Sequence, residues 1–581
     1  MKALSLTSLD LIIIVALVVF QLFLGLWVSL KNRGQENYFA GGRSLKWYTV
    51  AGSVFGTNIS ALQLVGMLGI GFSVGFAQSH FEFLAIFAIL AMAFILVPLY
   101  RKVKIFTVSE FLEIRFNSTV RLTYSIMVIL LLLVQMVASF YIGARAIALL
   151  TLGSAFPISY ELAIAIPALV VCSYTLLGGL KAVMITESFQ TIFIILAATL
   201  LFFLTFSQPE IGGIKALGSL DMHLYLPSNH PDLPWTGVFT GLVILNFFYW
   251  NSNQLIVQRV IAAETDRDAQ LGMIGAGFLK LLIPFLTIST GVAASKLFHT
   301  RYSGMEILPD DAFLYLVDTV VPKNFGLAGL ILAGVAAAVF STIDAMMNTT
   351  TTLFTMDIYK KYLHKTAGEG EILKAGRITV FLMAFLASYL ALKTYDPEGS
   401  GNFFLTVASR GSYFTTGIIV AFFGGIFSKR ASIKGALMAI LSAPIFGLGV
   451  EIFYQNYLNE IAVFRSYFGE NLNFLHRVFI STVLSFIVFW LFQEKEEKES
   501  VLIISKEKLK SLFVLLSLWI FIQVVLVLLV IFEFFTPQMA AFPGSLVTLW
   551  IGFRKSKFQS FPYIFGSLLS GITVFLLYYF W

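Results

Sequence analysis

The chain has 581 residues, of which 58% are hydrophobic and 12% charged, with a mean hydropathy of +0.86. Soluble domains carry about 25% charged residues, so the composition excludes a soluble globular protein and points to repeated crossing of a bilayer. The formal charge of +7 does not indicate nucleic-acid binding, because the basic residues sit in short loops between apolar runs, where they orient spans.

Cys172 is the single cysteine, which excludes an intramolecular disulfide and a cysteine-based metal site, and the six histidines show no ligand spacing. The apolar run from about Leu9 to Leu30 follows Lys2. It is too long for a signal-peptide core and reads as a retained first span.

A helix needs about 20 apolar residues to cross a bilayer. In chain order the apolar runs place spans at 8–30, 46–75, 80–100, 122–150, 158–177, 183–206, 236–260 and 270–297. They continue at 325–358, 377–394, 402–427, 433–455, 474–493, 511–535, 538–553 and 560–581, the short 538–553 run being the weakest. Basic residues fall on alternate loops: Lys31 to Arg43, Arg101 to Arg121, Lys181, Arg259 and Arg267, Lys360 to Lys374, Lys429 to Lys434, Lys495 to Lys508, and Arg554 to Lys557. By the Lys/Arg rule these loops are cytoplasmic and the N-terminus is outside. The basic-poor loop from Ser207 to Trp235 holds Pro209, Pro227, Pro231 and Pro234 and reads as a packed lid, and Pro309 to Val321 reads as a short external helix. Gln493 to Lys510 reads as a charged cytoplasmic tether.

Two spans are interrupted by polar residues. In the second, Gly56, Thr57, Asn58, Ser60 and Gln63 break an apolar helix; in the seventh, Asn246, Asn251, Ser252, Asn253 and Gln254 do so. The breaks lie five spans apart, so each opens a five-span block, and an odd number gives the blocks opposite orientation. Interruptions at corresponding positions of two halves are the sequence sign of an inverted-repeat transporter. Unwound backbone survives at membrane depth only where it lines a cavity or is buried in protein.

The stretch FSTIDAMMNTTTTLFTMDIYKK, Phe340 to Lys361, sets Ser341, Thr342, Asp344, Asn348 and four threonines into membrane depth. An aspartate at a helix centre there costs about 2.5–3.5 kcal/mol on insertion scales. Two adjacent hydroxyls with the Ala338 carbonyl one turn earlier offer the oxygen cage that a hard cation such as sodium prefers.

With these features in hand, the chain resembles the sodium/solute symporter family, in particular its sodium–sugar (sodium/glucose-type) cotransporter branch. The likeness rests on YFAGGRSLKWY from Tyr38, NISALQLVG from Asn58, TVSEFLEIRFN from Thr107 and YTLLGGLKAVMITESFQ from Tyr174. YWNSNQLIVQR from Tyr249, GFLKLLIPFL from Gly277 and the TMDIYKK ending complete it. No single motif is specific; their order and spacing are. The resemblance implies an all-α polytopic membrane protein of about 14–16 spans, with a five-plus-five inverted-repeat, leucine-transporter-like core and flanking helices. It divides the chain into a leading span (1–45), a transport core (46–435), additional spans (436–493), a charged linker (494–510) and C-terminal spans (511–581).

Carried over residue by residue, the resemblance implies a sodium (Na+) site from the carbonyls of Gly56, Ile59 and Ala338 and the hydroxyls of Ser341 and Thr342. The bland alternative is that both hydroxyls back-bond within their helix. It also implies a possible second cation near Glu187, Ser341 and Asp344, where Asp344 replaces a hydroxyl residue of the family pattern. Two carboxylates there could instead share a proton, or Asp344 could pair structurally. The implied substrate pocket is Gln63, Glu82, Asn246, Tyr249 and Lys280, a set of donors and acceptors with an aromatic face for a sugar or polyol. Their bland readings are a helix cap for Glu82, an ion pair for Lys280 and packing for Tyr249. Leu62 stands where relatives often carry glutamate, and Arg410, Ser412 and Thr415 stand where a sugar-contacting glutamine is expected. If Arg410 faces the pocket, the solute is a sugar acid or small carboxylate.

The reading is thus a non-enzymatic, sodium-coupled importer in the plasma membrane, working on a small solute by alternating access. A non-transporting sensor on the same fold would call for a signalling domain. A membrane enzyme would call for a catalytic cluster, a nucleophile elbow or a P-loop, and neither pattern is found.

Overall fold

The computed structural model describes residues 6–31, 34–154, 157–218, 220–302, 307–394, 403–497, 506–556 and 561–581. Eleven helices among them are long and apolar enough to cross a membrane, or twelve when the bent pair Trp47–Asn58 and Ala61–Ser73 is taken as one span. The middle of the charged tether, residues 498–505, falls outside the described residues.

One of these helices is long enough to cross twice. Tyr160–Phe206 has 47 residues, which is about 70 Å of α-helix against a hydrocarbon core of about 30 Å. At Gly179 the backbone adopts the non-helical φ 56°, ψ −148°, a kink that divides the element into two helices. Only glycine tolerates that region, and a Cβ there would lie 2.4 Å from the Tyr38 carbonyl oxygen. The turn falls between the runs 158–177 and 183–206, each of which forms one arm.

The breaks form where polar residues interrupt the apolar runs. The two halves of the second span meet at 59°, with Ile59 at φ −87°, ψ 88° ending the first half. Ser60 starts the second half through a reciprocal cap: its hydroxyl accepts from Gln63 N–H while the Gln63 side chain accepts from Ser60 N–H at 3.1 Å. In the seventh span a widened π-helical turn, Phe248–Ser252, runs into Asn253, whose side chain caps the Gln254–Ile261 helix. Such π turns cluster at functional positions.

The helix Leu327–Leu363 is the buried axis of the molecule. It packs against both arms of Tyr160–Phe206, against Ser118–Thr151 and against the first half of the broken second span. Asp266–Arg301 lies along the other side of that span, close enough that a Cβ on Gly291 would sit 2.1 Å from the Leu68 carbonyl oxygen. The last helix, Phe561–Tyr579, docks on Asp266–Ile283, its Leu569 filling the space beside Gly277.

The lid segment is anchored at both faces. His80 meets the Leu224 carbonyl at 3.0 Å, Leu224 N–H donates to Phe580 at 2.9 Å, and the Tyr225 hydroxyl donates to Leu577 at 3.0 Å. Within Pro309 to Val321 the short helix Ala312–Val320 forms.

Arg121 and Arg259 are among the basic residues assigned above to cytoplasmic loops that are instead buried. Arg259 is fully enclosed, and Arg121 donates to the buried Asp357 at 2.5 Å and to Glu113 at 2.7 Å. Each has a carboxylate partner that offsets the cost of desolvation, a pairing invisible to a rule that counts charges near span ends.

Replacing Gly179 with alanine forces a strained conformation worth about 1–3 kcal/mol and a clash with Tyr38. Gly179→Ala is expected to lower the Tm of the purified protein in detergent by several degrees, while Gly449→Ala, in a helix and with nothing within 4 Å of its Cβ, shifts it less.

Candidate functional site

The break at Ile59 leaves backbone oxygens without donors. Ser60 N–H turns to the Asn58 carbonyl at 3.2 Å and Gln63 N–H to Ser60 at 3.0 Å, so among the described residues no backbone N–H reaches the Gly56 or Ile59 carbonyls. Facing this half-span is the Leu327–Leu363 helix with Ala338, Ser341 and Thr342, all buried. The hydroxyls of Ser341 and Thr342 donate to the Ala338 carbonyl at 3.1 and 2.9 Å. That is the bland back-bond, yet a hydroxyl that donates keeps two lone pairs. Carbonyl and hydroxyl oxygens are the donor set a small monovalent cation requires, and two of the carbonyls are orphaned.

The second pair of carboxylates is arranged differently from the expectation of a shared cation. Glu187 is ion-paired to Arg259 at 2.5 Å, with both side chains fully buried. It also accepts from Thr57 at 2.8 Å, from Ser53, and from Arg259 Nε at 3.2 Å. Both of its oxygens are thereby doubly engaged, and the guanidinium supplies the positive charge that a cation would bring. Asp344 accepts from the Tyr174 hydroxyl at 2.5 Å and keeps one oxygen, Oδ1, without a partner. Glu187 and Asp344 therefore have separate partners.

The implied pocket residues are partly gathered. Lys280 Nζ donates to Glu82 at 2.5 Å and to the Asn58 side chain at 2.8 Å, and lies 5.3 Å from the centre of the Trp250 ring. Tyr249, half-buried, stands beside Asn58 and edge-on to Trp250 at 5.2 Å. Asn246 lies one turn before them with its Nδ2 group buried and unpartnered. Glu82 is an ion-pair partner rather than a helix cap, and its Oε1 is likewise unpartnered. Gln63 spends its oxygen on the helix cap described above. Arg410 is exposed and lines an outer cavity of about 820 Å³ with Tyr413, Glu451, Arg465 and Arg477. Ser412 is buried against Arg477, at 3.1 Å.

Residues that sequence reasoning left out of the site include Asn58, Trp250, Arg259, Tyr174 and Gln78. Gln78 lies one turn before Glu82, fully buried, with neither end of its amide partnered. Asn58 and Trp250 adjoin the polar breaks, and that adjacency was the available signal. The partnership of Arg259 with Glu187, 72 residues apart, left none.

Comparison with known proteins shows what the chain is similar to. Residues 38–442 match the model of the sodium:solute symporter family. The chain is 31% identical over 474 residues to a sodium/glucose cotransporter of Vibrio parahaemolyticus, covering 76% of this chain and 85% of that one. It is 30% identical to sodium/glucose cotransporter 1 of Ovis aries (76% and 71%) and 28% identical to sodium/myo-inositol cotransporter 2 of Sus scrofa (76% and 69%). A solved sodium-coupled sialic acid symporter, in a substrate-bound outward-open state, superposes with a TM-score of 0.71 at 20% identity, covering 84% of this chain and 97% of that one.

Removing one member of a buried pair leaves an uncompensated charge, which costs about 3–5 kcal/mol. Lys280→Met and Arg259→Met are each expected to destabilise the protein sharply in thermal unfolding. The double changes Lys280→Met/Glu82→Gln and Arg259→Met/Glu187→Gln should recover much of the loss, giving a large coupling in each cycle.

Proposed function

Because the chain belongs to the sodium:solute symporter family and shares its leucine-transporter-like, five-plus-five inverted-repeat fold, we propose that its solute is a small neutral polyhydroxylated molecule, a sugar or polyol, imported across the plasma membrane with sodium. The observation that carries this reading is the Glu82–Lys280 pair. A buried lysine that already holds a carboxylate at 2.5 Å leaves the pocket electrically balanced, so a neutral solute enters without leaving a charge unpaired. An anion would have to displace Glu82. The unpartnered groups nearby, Glu82 Oε1, Asn246 Nδ2 and the Gln78 amide, match the alternating donors and acceptors of a polyol, and Tyr249 and Trp250 offer ring faces. The relatives named for glucose and myo-inositol support the same class.

Coupling follows from the orphaned carbonyls. Sodium held by Gly56, Ile59, Ala338, Ser341 and Thr342 ties the broken span to the buried axis and orders Asn58, which in turn holds Lys280. A cation that binds one conformation better than another shifts the populations by that difference, and the same difference links sodium to solute. Inward sodium movement supplies about 2.3 kcal/mol per charge per 100 mV.

An acidic solute is the second reading. Arg410 forms no ion pair among the described residues and lines the outer cavity, where Arg465 and Arg477 are already held by Glu470 and Glu451. Arg410 is the charge there that an anion would meet before it reached the pocket.

Uptake into proteoliposomes separates the readings. With an inward sodium gradient, radiolabelled hexoses or polyols are expected to accumulate, and potassium or a proton gradient should not replace sodium. Ser341→Ala should raise the sodium concentration for half-maximal uptake at least tenfold. Accumulation of sugar acids or monocarboxylates alone would move the assignment to the second reading, and no sodium-dependent uptake at all would turn it toward a sensor.

A further inference from the structure

We propose that sodium leaves for the cytoplasm along one face of the Leu327–Leu363 helix, a path from Ser341 through Asp344, Asn348 and Thr351 to Thr355, closed at its inner end by the Gln35–Ala40 helix. The proposal rests on Ser341 being a sodium ligand. Successive spacings of three, four, three and four residues set these five side chains on a single helical face, spanning about 21 Å of axis. All five are fully buried.

Their hydrogen bonding distinguishes the face. Asp344 Oδ1, both ends of the Asn348 amide and the hydroxyls of Thr351 and Thr355 have no partner. Thr342 and Thr349, off this face, return their hydroxyls to carbonyls one turn earlier at 2.9 and 2.7 Å, as does Thr352 at the face's edge beside Ser341 at 2.9 Å; Thr350, on the opposite side, is also unpartnered. A buried polar group without a partner costs about 1–3 kcal/mol. Four consecutive turns of them are sustained where water or an ion completes their bonding in part of the cycle. A carboxylate oxygen, an amide oxygen and two hydroxyls are ligands for a hard monovalent cation, and sodium released from Ser341 is the ion at the head of the file.

At the inner end the path meets a small apolar cluster of Tyr38, Phe39, Met356 and Ile372. The Tyr38 ring and the Thr351 methyl both flank Gly376, at 3.2 and 3.4 Å from where its Cβ would lie, so the plug bears directly on the polar face. Gln35 N–H donates to Glu369 at 2.7 Å, latching the plug helix to the start of the next span.

The single cysteine makes the path testable. In a Cys172→Ser background, Asn348→Cys and Thr351→Cys on the face, and Met346→Cys and Leu353→Cys on the opposite side, would be exposed to a small cationic methanethiosulfonate in inside-out vesicles. With sodium and solute present, the face positions are expected to react at least tenfold faster than the opposite ones. In parallel, Asn348→Leu should lower sodium-driven uptake at least tenfold while keeping the sodium-dependent rise in Tm, and Asn348→Ser should retain most uptake. Equal labelling on both sides, or full uptake in Asn348→Leu, overturns the path. Loss of folding in Asn348→Leu leaves the labelling arm to decide. A Ser341→Ala protein that keeps its sodium-dependent Tm rise would instead overturn the sodium-site reading beneath the proposal.

Discussion

Everything in this molecule answers to one constraint: peptide groups between Gly56 and Ala61 are left without helical partners at membrane depth. An unsatisfied peptide group in hydrocarbon costs several kcal/mol, so the break persists only because protein encloses it on every side. The buried Leu327–Leu363 axis covers one flank, Asp266–Arg301 another and the second arm of Tyr160–Phe206 a third. Two of these helices also deliver side chains to the break: Lys280 reaches Asn58 from the second and Glu187 accepts from Thr57 from the third. The enclosure and the site are the same packing problem solved once.

The charges follow a common logic. Lys280 with Glu82, Arg259 with Glu187 and Arg121 with Asp357 are three compensated pairs with little or no solvent contact. Each joins helices distant in sequence, and each is worth little as net stabilisation because desolvation offsets attraction. Their effect is to fix which helix faces which. Asp344 stands apart: its partner is a neutral tyrosine, and it lies on the helix that carries Ser341 and Thr342.

Much of this was legible in the amino acids. The apolar runs located most of the spans because length and hydropathy are local properties, although the runs 236–260, 402–427 and 538–553 are not among the helices found long and apolar enough to cross in the described residues. The kink of Tyr160–Phe206 showed as two runs separated by Gly178 and Gly179. The breaks showed as polar clusters. The cap at Ser60 and Gln63 also followed a readable S-x-x-Q pattern, although Gln63 was assigned to the pocket. Illegible were the pairings: Arg259 and Arg121 sit near span ends in sequence, and only the tertiary arrangement shows a carboxylate waiting for each. Arg410 was ambiguous for the same reason, since depth along a tilted helix is not encoded in any window of sequence.

The last helix carries a mechanical consequence. Its middle rests on the segment that holds Lys280, and its end grips the lid through Leu577 and Phe580. A close-packed helix in contact with both passes strain from one to the other. The lid and the helix that carries Lys280 are therefore mechanically joined through the last helix, which lies beyond residues 38–442.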